Sequence, residues 1–126
     1  MRQARSFVGN QFNPTSADDF IDSIRRGDQH TAYILQVFGY WDMVCAFVVH
    51  GTLPEPLVYD TCQEMYFQYS KIQPYLDSFR EKMNLPEWMR SLQAVAECSE
   101  QSRAGMKVMR ENVARMAAIR KEKSNE

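Results

Sequence analysis

Residues 31–49 read TAYILQVFGYWDMVCAFVV, and Thr31, Gln36 and Asp42 are their only clearly polar side chains. Apolar groups fall on nearly every face of a 3.6-residue turn, the pattern of a helix buried all round or of a membrane span. Asp28 stands where an N-cap belongs. Gly51 stands where a helix ends in the left-handed conformation that a missing Cβ allows. A carboxylate at the centre of a membrane span costs about 2.5–3.5 kcal/mol on insertion scales, so Asp42 argues against insertion. The flanking segments carry single apolar stripes that need an apolar partner, and this helix supplies one. The expectation is a soluble all-α bundle with a long central apolar helix; membrane association through 31–49 is the alternative.

Outward from that helix the chain divides by punctuation. Residues 1–14 show no period and read as an N-terminal arm, with Phe7, Val8 and Phe12 available to lie on a neighbouring surface. Ser16 with Asp19 three residues on forms a capping-box variant ahead of Phe20, Ile21 and Ile24, which predicts a short first helix ending at Gly27. After Pro54 and Pro56 come Val58, Cys62, Met65, Tyr69, Ile72, Leu76, Phe79 and Met83. Their spacing of 4,3,4,3,4,3,4 predicts one helix, kinked at Pro74. Leu85-Pro86-Glu87 opens a last helix through Trp88, Leu92 and Val95 to Met106, Met109, Val113 and Met116, weakened midway by Ser99 and Ser102. The expected fold is a small bundle of about four helices, with a kinked third helix and an extended C-terminal one. Residues 15–103 would form the bundle and 104–126 a projecting helix that frays beyond Arg120.

The chain has 126 residues, a net charge of −1 and 44% hydrophobic residues, the proportions of one globular domain without a bulk pull toward nucleic acid. Cys45, Cys62 and Cys98 are too few and too scattered for a disulfide framework or zinc site, which predicts a reducing, cytoplasmic setting. The five glycines form no phosphate-cradling loop, and no metal motif occurs, so no cofactor and no metal are expected. His30 and His50 would stand roughly 30 Å apart on one helix. Cys45 and His50 would lie on different faces of it. The expectation is therefore a non-enzyme with no catalytic residue.

Three groups remain as candidate sites. Asp42 must be paired, solvated or protonated: it either accepts hydrogen bonds from a tyrosine, an arginine or a helix N-terminus, or centres a ligand pocket with Tyr40 and Tyr59. Asp60 and Glu64, one turn apart, read as a solvated acidic face. Met106, Met109, Val113 and Met116 hold heptad spacing in a helix expected to outrun the bundle. They predict self-association, a homodimer or another protein partner, with Arg110, Glu111, Arg115 and Arg120 setting orientation. Folding back after a bend at Gly105 is the competing reading of that strip. The C-terminal basic residues also offer themselves to RNA or an anionic membrane, yet without interleaved aromatics nucleic acid is the weaker expectation.

Tyr40-Trp41-Asp42, His50-Gly51, Leu57-Val58-Tyr59-Asp60 and then Ile72, Pro74 and Tyr75 resemble an uncharacterised family of short helical bacterial proteins, a domain of unknown function, over about residues 35–98. The chain departs from that pattern at Phe67 and Tyr69, where a tryptophan is expected. The resemblance implies helices, a bacterial source and, in some members, a membrane helix ahead of the domain. It carries over no catalytic residue.

Overall fold

The structure is a computed structural model that describes residues 1–124; Asn125 and Glu126, the end of the tail expected to fray, lie outside the described residues. The chain is all-helical, with no strand among the described residues. Its helices are shorter and more numerous than the four expected.

The segment expected as an arm is a helix, α1 (Arg2–Asn10), which buries Ala4 and Val8 against α3 (Gln29–Val49). It has no side-chain N-cap, and its C-terminus is closed from far away. Lys71 donates from Nζ to the carbonyls of Val8, Gly9 and Phe12 at 2.8, 2.9 and 3.0 Å. A cap that arrives from about 60 residues downstream leaves no local signature in the sequence of α1.

Helix α2 (Ala17–Arg25) begins as its sequence predicts. Ser16 Oγ accepts the Asp19 N–H at 3.0 Å, and Asp19 accepts the Thr15 N–H in return. Asp28 caps α3 through the Thr31 N–H, and the Thr31 hydroxyl donates to the Ser23 carbonyl at 2.6 Å, stitching α2 to α3. Helix α3 ends at Gly51, whose φ is +83°.

Helix α3 is not enclosed on all sides. Ile34, Val37, Phe38, Trp41 and Cys45 face inward, between α1 and α7 (Arg90–Ala96), while Leu35, Tyr40, Met43, Phe47 and Val49 are exposed. The near-uniform apolarity of 31–49 thus records a core face and a second, uncovered face.

The regular stripe from Val58 to Met83 does face inward, with Val58, Met65, Tyr69, Ile72, Leu76 and Phe79 buried. Its backbone is nevertheless interrupted twice. Helix α4 (Glu55–Thr61) stops at Cys62, α5 (Gln63–Ile72) gives way to a 3-10 turn at Gln73–Tyr75, and α6 (Leu76–Met83) follows. The turn is the kink expected at Pro74; the break at Cys62 was not expected. A one-residue break in phase changes hydrogen bonding but not which side chains face the core, so periodicity passes over it.

The last helix is also divided. Residues 86–89 form turns, α7 (Arg90–Ala96) is short, and α8 (Glu100–Ser124) starts anew. Ser99 is the reason, because its Oγ accepts the Ser102 N–H at 3.0 Å as an N-cap. The chain therefore turns at Glu97–Ser99, not at Gly105, and α8 folds back along α5 with Ser102 and Met106 buried. Residues 104–124 continue the helix that starts at Glu100, covered at Met106 and exposed at Met116 and Ile119.

An aromatic run joins the layers: Phe12 packs edge-on to Phe20 and Phe38, and Phe20 stacks on Phe79 with ring centres 4.5 Å apart. Buried Arg80 anchors the turn after α6. Its Nε and Nη2 donate to the Trp88 carbonyl at 2.8 and 2.7 Å, and its Nη1 donates to Gln93 at 2.6 Å.

Candidate functional site

The three residues expected to share a pocket have separate tasks. Asp42 Oδ1 accepts the Leu92 N–H at 2.9 Å. Helix α7 has no side-chain cap of its own, since the preceding residue is Met89 in the left-handed region at φ 58°, so Asp42 caps it from α3. Tyr40 lies on the exposed face of α3, edge-on to Trp41 at 5.0 Å. Tyr59 is half-buried against Tyr66, with its hydroxyl 3.8 Å from where a Cβ on Gly105 would stand. Asp42 thus points to α7 and Tyr59 toward α8, while Tyr40 lies on the exposed side of α3.

The four residues of the C-terminal strip stay on one side of α8 but differ in cover. Met106 is fully buried where α8 lies on α5, Met109 and Val113 are half-buried, and Met116 is 50% exposed. With Ala117 and Arg120, the last three form one wall of an open groove of about 970 Å³. Arg2, Arg5, Ser6 and Asn10 of α1 form the opposite wall, and Glu64 and Phe67 of α5 the floor.

That floor is polar, ordered and tied to the core. Trp41 Nε1 donates to Gln68 Oε1 at 2.6 Å, and Gln68 Nε2 donates to Glu64 Oε1 at 3.3 Å. Arg5 donates to Glu64 Oε2 from Nε at 3.0 Å and from Nη2 at 2.6 Å. The Glu64 contact raises the Arg5 guanidinium still further above its ordinary value. Glu64 is therefore a paired groove residue and not the solvated acid expected, whereas Asp60 is exposed as expected. Arg2, Arg5 and Gln68 were not anticipated, because each acts across the tertiary fold and none sits in a motif.

Beside the groove's end, Tyr69 donates to Glu97, Gln73 Nε2 donates to the same carboxylate at 3.1 Å, and Arg110 donates to Gln73. Arg103 closes the corner on the Glu97 carbonyl at 2.6 Å. Burial and the Glu97 contact push the Tyr69 phenol up, so it stays a donor at neutral pH. These bonds seat α8 on the body.

The groove sets arginines beside apolar side chains. Its lining holds no histidine, cysteine or tyrosine, and its one carboxylate is engaged by Arg5. Cys45 is buried beside Met65, and burial pushes its thiol up to about 12, away from nucleophilic use. His50 is exposed at the end of α3, and His30 stacks on Phe7 at 4.2 Å. Among the described residues, no group of three or more His, Cys, Asp or Glu is placed to hold a metal ion.

No curated protein and no solved structure matches the chain. The sequence profile of DUF4760, a domain of unknown function, matches residues 1–99, which take in α1 to α7 and stop one residue before α8, so the chain belongs to that family.

Proposed function

We propose that this protein is a non-enzymatic helical interaction domain that self-associates through α8. One observation carries the reading: α8 continues past the body that covers Met106, and of its later apolar residues Val113 is only half-buried while Met116 and Ile119 are exposed. A 25-residue helix spans about 37 Å, and a solvated helix end holds its conformation poorly unless its apolar side finds a partner. Free Cys45, Cys62 and Cys98 fit a cytoplasmic protein. Helix α3 is long and apolar enough to cross a membrane, but its inner face is part of the core, and spanning would strip α1 and α7 from it.

Light scattering coupled to size exclusion tests the reading on the full chain and on a chain ended after Asn112, which keeps Met106, Met109 and Arg110 in place. The full chain should assemble and the shortened one should be a folded monomer. A full chain that stays monomeric from micromolar to millimolar concentration overturns the reading, as does assembly that survives the truncation.

A further inference from the structure

We propose that the surface receiving α8 is the outward face of α3 and α4 on a second copy, an inference that rests on self-association through α8. The outward face of α3 carries Leu35, Tyr40, Met43 and Phe47, and Leu57 of α4 is likewise uncovered, each between 42% and 50% exposed. The main packing partners of α3 are α1, α7 and α2, with α5 reached through Trp41 and Cys45 of its inner side, and its own α8 lies on α5. A contiguous apolar strip of this kind marks an interaction surface.

Charge selects the occupant. From Gly27 to Ser70 the chain has no lysine or arginine and five carboxylates: Asp28, Asp42, Glu55, Asp60 and Glu64. Glu64 is neutralised by Arg5, and among the described residues Asp28, Asp42, Glu55 and Asp60 stand in no ion pair, which leaves this stretch of the chain net negative. From Arg103 to Lys123 there are seven basic residues against Glu111 and Glu122. Val108, Met116 and Ile119 are exposed along that same basic helix, at 53%, 50% and 40%. With Asn112 they recur at spacings of 4, 4 and 3, which aligns them on one side.

An anionic membrane is a poor occupant of the α3 strip, because interfacial helices need flanking lysine or arginine and this one has carboxylates. Pairing α8 with α8 sets two basic helices together, and pairing α3 with α3 sets the carboxylates together. Placing α8 of one copy on α3 and α4 of another buries both apolar strips and brings opposite charges into register. The two surfaces differ, so each copy offers one donor and one receptor; reciprocal use closes a two-fold dimer with two identical contacts.

Two variants test this: Phe47→Glu on the receptor and Met116→Glu with Ile119→Glu on the donor, each checked for helicity and cooperative melting, with Met43→Glu as a second receptor variant. Each should weaken the dimer on the order of 10- to 100-fold in Kd by sedimentation. Mixing the two kinds should restore a heterodimer, since one copy keeps an intact α3 face and the other an intact α8. Added salt should weaken the wild-type dimer, because opposite charges hold it. Receptor variants that assemble like wild type while the α8 variant is monomeric would overturn the α3 site and leave self-association through α8 standing. A mixture that stays monomeric, or a dimer that tightens with salt, also overturns it, and a monomeric wild type removes both proposals.

Discussion

Replacing Asp42 by alanine removes a single hydrogen bond, to the Leu92 N–H at 2.9 Å, from a residue whose position in an apolar helix invites a functional reading. The magnitude follows from where that bond sits. Helix α7 enters from Met89 without a side-chain cap, and Leu92 is fully buried, so no water can replace the lost acceptor. Losing an N-cap costs about 1–2 kcal/mol, and orphaning a buried N–H falls in the same range. For 126 residues the unfolding entropy near the midpoint is about 0.26 kcal/mol/K, which converts that cost to a fall in Tm of about 4–8 °C. Asp42→Asn keeps a carbonyl oxygen at the same place and should recover most of the loss, because asparagine caps about as well as aspartate. Calorimetry of the three proteins, with hydrogen exchange at the Leu92 amide, measures both the global cost and its location. Asp42→Ala melting within a degree of wild type, or Asp42→Asn melting as low as the alanine variant, would refute the capping role.

Three more outcomes follow from the packing. Trp41→Ala empties a buried indole site and abandons Gln68 Oε1, and should cost about 3–5 kcal/mol by denaturant unfolding; a loss under about 1 kcal/mol would contradict the core described. Gly39→Ala should raise stability by roughly 0.5–1 kcal/mol, since a Cβ there meets open space in the middle of α3, whereas Gly51→Ala at φ +83° should lower it by about 1 kcal/mol or more; equal effects in thermal melts would refute the backbone argument. Burial pushes Lys71 down to about 8 from an ordinary value near 10.5. Between those values the unfolded chain binds the extra proton, so the stability of wild type relative to Lys71→Met should rise with pH across that window and be flat below it; a relative loss over the same range would show that the three carbonyls at α1 hold the ammonium more strongly than burial opposes it.

The parts of the fold legible in the sequence are those whose causes are local. Ser16, Asp28 and Gly51 each act within a few residues of themselves, so α2 and α3 were bounded nearly where they stand. The stripe from Val58 to Met83 was legible because side-chain direction survives small breaks. What was missed has distant causes: Lys71 closing α1, Asp42 capping α7, and Glu64 drawn to Arg5. The break before α8 is different, since Ser99 is a local cap and was there to be read. It reads as a weak point and not as a break because Leu92, Val95, Met106 and Met109 keep a common phase across it. Asp42, Tyr40 and Tyr59 are legible as a group only by polarity within apolar surroundings, which reports that each needs a partner; that the partners lie on α7 for Asp42 and toward α8 for Tyr59 is set by the tertiary fold.

The division of α8 bears on how the domain and its interaction surface relate. The family match ends at residue 99, yet Ser102 and Met106 lie in the core beside α5, and Arg103 and Arg110 bond to Glu97 and Gln73 of the matched part. The first turns of α8 therefore complete the body, although they follow the matched segment. Beyond Arg110 the ties to the body thin out: Val113 is half-buried, Met116 and Ile119 are exposed, and Arg115 bonds only along its own helix to Asn112. A helix rooted in a core at one end and free at the other holds its outer turns in a fixed direction at little entropic cost, which favours binding over a disordered tail of the same composition. The rooted part sets where the basic, apolar end points, which is what the dimer proposed above requires of a helix that must reach the apolar face of α3 on a second copy.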